Sequence, residues 1–84
     1  MTTKVVFRKF DPRDGGDVIA LFPKERCGKG NLIWSYQHIG QHGSASPELI
    51  TELLPCQQEE YQSLLDELTS IGYDNLLIEK RAVR

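Results

Sequence analysis

Residues 57–72 read QQEEYQSLLDELTSIG, and they carry the strongest structural signal in this 84-residue chain. Their apolar side chains recur at intervals of three and four, which places on one helix face Tyr61, Leu64, Leu65, Leu68 and Ile71. Glu59 and Glu60 lie near the amino end, where carboxylates favour the helix dipole. Gly72 is suited to end the helix in the left-handed conformation. The pattern predicts one amphipathic helix over residues 57–71.

Three segments before this helix have the composition of β-strands. Residues 4–10 are rich in β-branched and aromatic side chains, and residues 17–22 form an apolar run that Pro23 is expected to stop. Residues 11–16 contain a proline and two glycines, which favour a turn and a hairpin between these two strands. Residues 31–37 form the third strand.

Alternate residues of the third strand share a face of the sheet. One face carries Leu32, Trp34, Tyr36 and His38, and the other carries Ile33, Ser35, Gln37 and Ile39. The first set is bulkier, so we expect it to face the core at its Leu32 and Trp34 end. Apolar residues on the other face, such as Ile33 and Ile39, would favour burial by a partner molecule.

Residues 49–54 allow two interpretations. Ser46 could cap a short helix with Pro47 at its first position, or residues 49–54 could form a strand that Pro55 ends. Periodicity alone does not separate a helix from a strand in so short a run. We favour a turn at Pro47 followed by a short strand.

Residues 76–83 return as a last strand, so the element order is β-β-β-(β)-α-β. A single amphipathic helix can cover one face of a mostly antiparallel sheet of four to five strands. The predicted fold is therefore an α+β two-layer sandwich. The length fits one domain over residues 1–84, with a thin core that dimerisation would stabilise.

Composition restricts the compartment and the chemistry. Apolar residues make up 39% of the chain and charged residues 26%, which is ordinary for a soluble globular protein. No segment approaches the roughly 18 apolar residues that cross a membrane, and no hydrophobic signal region is visible, so we expect a cytoplasmic protein. Cys27 and Cys56 are too few for a disulfide scaffold and are expected to be free thiols.

Charge is distributed unevenly along the chain. No Lys or Arg occurs between Lys29 and Lys80, whereas that interval holds eight Asp and Glu residues. Attraction between basic strands and the acidic helix is the simplest explanation. A basic patch for an anionic partner is the alternative, but a pI near 5.6 argues against nucleic-acid binding.

Residues 35–44 read SYQHIGQHGS and contain both histidines of the chain, next to its only tryptophan. This polar segment predicts either a recognition surface or a tight turn. In the first case Tyr36 supplies a flat contact, while Gln41 and the imidazoles of His38 and His42 supply hydrogen bonds. In the second case the glycines at positions 40 and 43 form a turn and the histidines cap backbone groups.

Three blocks of this sequence are VIALFP at residues 18–23, SYQHIGQHG at 35–43 and the EEY–L–EL–IGY pattern within 59–73. Together they resemble a group of small uncharacterised bacterial proteins, and the Gly-Gln-His-Gly block is the most specific of them. The resemblance spans residues 18–78. It implies a compact single domain of bacterial or phage origin, and it implies no activity and no catalytic residue.

The two histidines also allow a second class of function. His38 and His42, with a cysteine or a carboxylate, could form a metal site or the centre of a small enzyme. No CxxC, HExxH or Gly-x-Ser-x-Gly motif is present, so we assign no catalytic residue, metal ligand or cofactor. The favoured interpretation is a binding module that acts on a protein partner or as a homodimer, for instance by strand addition at a sheet edge.

Overall fold

The structure is a computed structural model that describes residues 3–28, 30–37, 41–73 and 75–79. Its strands are β1 (Thr3–Lys9), β2 (Val18–Arg26), β3 (Ile33–Gln37), β4 (Gln41–Ala45), β5 (Leu54–Pro55) and β6 (Leu76–Ile78). They form one sheet in the order β4-β3-β2-β1-β5, with β6 also paired to β1. The α-helices in this part of the chain are α1 (Leu49–Glu52) and α2 (Gln58–Ser70).

The predicted α+β class is confirmed. Within the described ranges the sheet has six strands, where four or five were predicted, and all its pairings there are antiparallel except the one between β1 and β6. The predicted helix over residues 57–71 is α2, while α1 is an additional short helix. No helix within the described ranges is long and apolar enough to cross a membrane.

The central strands β1 and β2 are buried on both faces of the sheet. Val5 and Val6 in β1, and Ala20 and Leu21 in β2, are all 0% exposed. Because consecutive residues of a strand point to opposite faces, both faces must be covered along this part of the sheet. The two faces therefore bury two separate apolar clusters.

Helix α2 covers the first face. Its buried residues Leu64 and Leu68 pack against side chains from three strands, which are Val5, Phe7, Ala20, Phe22 and Tyr36. Tyr61 of the same helix stacks on Phe7, with ring centroids 4.4 Å apart. Four of the five residues of the predicted amphipathic face thus contact the sheet, whereas Ile71 is 49% exposed.

The chain itself covers the second face as it crosses from β4 to β5. Ile50 of α1 is buried among sheet residues, which are Val6, Ile19, Leu21, Ile33 and Ala45. The Arg8 side chain is buried on this face, and its Nε donates a hydrogen bond to the Ile50 carbonyl oxygen at 2.8 Å. This bond fixes α1 to the sheet and satisfies a buried carbonyl group.

Two expectations are wrong on this second face. Residues 49–52 form a helix rather than a strand, because Leu49, Ile50 and Leu53 have the spacing with which one helical turn contacts the sheet. Only Leu54 and Pro55 pair with β1 as a strand. Ile33 is covered by the same chain and not left for a partner, while Ile39 lies outside the described residues.

Strand β2 continues past Pro23, where the sequence predicted that it would stop. Phe22 pairs with Trp34, and the next paired residue is Arg26, opposite Ile33, so three residues of β2 bulge between consecutive pairs. Proline cannot donate a hydrogen bond to a neighbouring strand, and a bulge removes that requirement. The prediction failed because a proline can interrupt the pairing of a strand without ending the strand.

Strand β4 occupies the second half of residues 35–44, for which a turn at Gly40 and Gly43 was the alternative interpretation. Gly43 lies within β4 and pairs with Ser35, and the Ser35 hydroxyl donates a hydrogen bond to the Gly43 carbonyl oxygen at 3.0 Å. The turn expected at Gly40 falls outside the described residues. A turn at Gly43 is therefore wrong, because the residue is held in a cross-strand pair.

Ion pairs link the basic strand β1 to acidic residues late in the chain. The Lys4 ammonium lies 3.5 Å from the Glu79 carboxylate, and the Lys9 ammonium bonds the Glu60 carboxylate at the start of α2. The internal explanation of the uneven charge is confirmed for these two lysines. Each pair is partly exposed, so each contributes little to stability by itself.

Helix α2 ends in a Schellman motif centred on Gly72. The Tyr73 amide donates to the Leu68 carbonyl oxygen at 3.0 Å, and the Gly72 amide donates to the Thr69 carbonyl oxygen at 3.2 Å. Gly72 has φ +124°, in the region that favours glycine. The predicted glycine stop is confirmed, and the motif fixes the position of Tyr73.

Replacing Gly72 by alanine is expected to lower the free energy of unfolding by about 1 kcal/mol, because an L side chain rarely adopts its positive φ. Its added Cβ would meet no atom within 4 Å, so the effect comes from the backbone alone. Urea unfolding measures it. Gly43→Ala is the control, since its Cβ lies 3.9 Å from the Ser35 hydroxyl oxygen, and it is expected to change stability by less than about 0.5 kcal/mol. Equal losses of unfolding free energy in the two variants would contradict the role of the positive φ at Gly72.

The pKa of Glu60 lies below its ordinary value, first because the Lys9 ammonium hydrogen-bonds its carboxylate and second because the Gln57 amide does so. A depressed folded-state pKa adds stability above the ordinary pKa, and this stability is lost as pH falls through the lower value. Glu60→Gln is therefore expected to flatten the acid limb of the curve of unfolding free energy against pH. Glu59→Gln removes the same charge from the same turn without those two contacts. Parallel acid limbs for wild type and Glu60→Gln would refute the linkage.

Candidate functional site

A concave surface lies beside the end of α2, on the face of the sheet that this helix covers. Its lining residues are Phe22, Glu25, Trp34, His42 and Tyr73, and its volume is about 230 Å³. We call it the aromatic concavity. Four of its five side chains are rings, and Trp34 is 41% exposed, so a large aromatic surface is open to solvent here.

Strands β3 and β4 place the rings of Trp34 and His42 side by side. Tyr36 pairs with His42 and Trp34 pairs with Ser44, so the four side chains share a face of the sheet. The His42 ring lies edge-on to Tyr36, with centroids 4.7 Å apart, and to Trp34, with centroids 6.5 Å apart and an interplanar angle of 86°. His42 is therefore held between two aromatic neighbours.

Tyr73 forms another wall and is positioned by the end of α2. Its ring stacks on Phe22, with centroids 5.4 Å apart and planes 12° from parallel. Its hydroxyl oxygen lies 3.2 Å from His42 Nε2, at hydrogen-bonding distance. Because the Schellman motif positions Tyr73, it links the end of α2 to His42.

Glu25 reaches the aromatic concavity because of the bulge in β2. In a regular strand, residues three positions apart point to opposite faces, so Glu25 and Phe22 would lie on opposite sides of the sheet. The irregular register between Phe22 and Arg26 instead brings both Phe22 and Glu25 to one concavity. An exposed carboxylate consequently stands beside the aromatic walls.

Tyr36 is not the surface contact that the sequence suggested. It is 1% exposed, and its hydroxyl donates a hydrogen bond to the Glu67 carboxylate of α2. The sequence also predicted that Leu32 and Trp34 would face the core, and this is wrong. Helix α2 covers Tyr36 instead and leaves Leu32 and Trp34 about two-fifths exposed. Tyr36 supports His42 from within the core, while Trp34 is the aromatic residue available to a ligand.

The remaining predicted site residues are only partly placed. His38 lies outside the described residues, and of Gln41 only the backbone is described, opposite Gln37 in β4. Their hydrogen-bonding roles stay predictions. Of the two candidates whose side chains are described, His42 lines the aromatic concavity and Tyr36 does not.

A second concavity, of about 340 Å³, lies against β5 and the start of α2 and includes Cys56, Arg8 and Tyr61. Burial, followed by the nearby Glu60 carboxylate, raises the pKa of the Cys56 thiol. The raised pKa favours the thiol over the thiolate that a nucleophile or metal ligand requires. Among the described residues, no three His, Cys, Asp or Glu side chains are grouped to hold a metal ion.

Sequence reasoning missed Glu25, Phe22 and Tyr73 as members of the site. The Gly72-Tyr73 pair at the helix end was a usable signal, because the residue after a Schellman glycine is fixed against the last helical turn. Pro23 was a weaker signal for the bulge that brings Glu25 to the aromatic concavity.

Comparisons with known proteins give no relative to guide the assignment: no protein-family model, curated protein or solved structure matches this chain. The resemblance to small bacterial proteins stays a prediction. Any function must therefore be argued from the residues of the aromatic concavity and the strands that hold them.

Tyr36→Phe is expected to lower the free energy of unfolding by about 1–2 kcal/mol, because it removes a charge-assisted hydrogen bond from a buried hydroxyl. Tyr73→Phe is the matched control: it removes an exposed hydroxyl contact that water can replace, and we expect a change below about 0.5 kcal/mol. Urea unfolding of both variants measures the difference. A larger loss for Tyr73→Phe would show that the surface contact, rather than the core contact, holds the rings.

Proposed function

We propose that this protein is a binding module that holds a segment of another polypeptide at the aromatic concavity. The observation that carries the proposal is the exposure of Trp34 within a concave aromatic surface, although the neighbouring Tyr36 and Phe22 are fully buried. Tryptophan is one of the residue types most enriched among the anchors of protein interfaces. Its surroundings favour recognition over a purely structural role.

Strand β4 supports a polypeptide as the partner. It is the last strand in the sheet order, and within the described part of the chain it pairs only with β3. The outer edge of such a strand presents backbone N–H and C=O groups that an extended segment can pair with. His42 and Ser44 of this strand lie on the same face as Trp34, so a paired segment would pass beside the aromatic concavity.

The size of the site supports one anchoring side chain rather than a bound metabolite. Small-molecule pockets usually measure about 300–1,000 Å³ and enclose most of the ligand. The aromatic concavity measures about 230 Å³. Main-chain pairing along β4 would then give affinity, and the concavity would select one side chain of the partner.

Selection from a display library of random peptides tests this proposal. We expect enriched peptides to bind the protein and to bind Trp34→Ala at least about tenfold more weakly, because the variant removes the central aromatic anchor. Leu77→Ala is the matched control, since Leu77 is similarly exposed but lies on β6, outside the concavity. It should bind as the wild type does.

Two measurements complete the test. Amide shifts in nuclear magnetic resonance spectra should locate the bound peptide at β4, and sedimentation over a wide concentration range tells a second copy from a different partner. A dimer that dissociates on Trp34→Ala would identify the segment as part of this chain. Peptides that bind wild type and Trp34→Ala equally would refute the aromatic concavity as the binding site.

A further inference from the structure

We infer that the aromatic concavity receives an arginine side chain of the partner segment, an inference that rests on the proposed function. Two features of the site point to a cation. The faces and edges of Trp34, His42 and Tyr73 surround the space, and the Glu25 carboxylate lies on its border. The second concavity also has aromatic residues and a carboxylate, but the cationic Arg8 lines it and the Lys4 ammonium lies 3.5 Å from its Glu79 carboxylate.

The arrangement of the rings suits a positive charge. Trp34 stands nearly perpendicular to His42, and Tyr73 is tilted by 31° from His42, so the walls meet at an angle rather than forming a parallel slot. Aromatic faces carry negative potential and attract cations placed within about 6 Å of the ring centre. Tryptophan is the strongest of these partners, and the Trp34 side chain is 41% exposed.

Glu25 adds charge complementarity to the aromatic walls. The bulge in β2 directs it to the concavity, whereas the neighbouring Arg26 guanidinium donates a hydrogen bond to the Gly30 carbonyl oxygen at 3.0 Å in the following loop. A cation in the concavity would therefore meet a carboxylate and aromatic rings together. The carboxylate would repel an anionic side chain, and an apolar side chain would gain no attraction from it.

Arginine fits these features better than lysine does. A guanidinium group is planar, stacks on aromatic rings and donates paired hydrogen bonds to a carboxylate. It is also more weakly hydrated than an ammonium, so it enters a partly apolar concavity at a smaller desolvation cost. A single side chain matches a volume of about 230 Å³, and its apolar stem can lie along Trp34.

A host peptide with one variable position tests the inference. The peptide Ac-Thr-Val-Xaa-Val-Thr-amide is extended and able to pair with β4, and Xaa is arginine, its neutral isostere citrulline, or lysine. The indole N–H of Trp34 gives a single resolved reporter, because the chain has one tryptophan. We expect the arginine peptide to shift this signal until it saturates. The citrulline peptide is expected to bind at least about fivefold more weakly than the arginine peptide.

Glu25→Gln isolates the carboxylate. It is expected to weaken the arginine peptide several-fold and to leave the citrulline peptide unchanged, while Glu52→Gln, on the opposite face of the sheet, affects neither. Both residues are exposed, so both variants should keep the wild-type amide spectrum.

If the three peptides bind equally at Trp34, the concavity is a binding site without preference for arginine, and the inference fails while the proposed function stands. If library peptides bind Trp34 but the arginine peptide does not, the inference also fails. If no peptide of either kind binds there, the proposed function fails with it.

Discussion

Two adjacent strands that are buried on both faces constrain the rest of this structure. The zero exposure of Val5, Val6, Ala20 and Leu21 requires a cover on each side of the sheet, and an 84-residue chain has few residues to supply it. Helix α2 covers one side. The crossing through α1, held by Arg8, covers the other. Burial of this kind is the main favourable term in folding, so both covers are needed for the small core to be stable.

The aromatic concavity follows from the limited reach of these covers. Helix α2 buries Tyr36 but leaves the Trp34 end of the same face open, and the chain then turns away at Gly72. Tyr73 is held at that boundary by the helix end and by its contact with Phe22. The candidate site is thus built from regular elements, namely three paired strands and a capped helix end. Rigid placement lowers the entropy lost when a partner binds.

Local patterns explain which parts of this molecule were predictable. The helix was found because its period, its acidic first turn and its glycine stop all lie within one short segment. Alternation in β3 showed which residues share a face, but not which end the helix would cover, so Trp34 and Tyr36 were assigned to the wrong surroundings. The four-residue helix α1 is specified by contacts with a distant sheet and by Arg8, about forty positions earlier, and no local signal records that. The position of Glu25 depends on the bulge in β2, and the register of that bulge is defined only by pairing with β3.

Strand β1 divides its outer edge between two partners, and this division has a kinetic consequence. Thr3 to Val5 pair in parallel with β6, whereas Arg8 and Lys9 pair with β5. Both partners lie far along the chain, so neither contact can form through a short loop, and closing long loops slows folding. Until they form, the edge of β1 has unpaired backbone groups beside Val5 and Val6. The unfinished chain therefore exposes at β1 a strand edge that another chain can pair with, and the completed fold covers that edge.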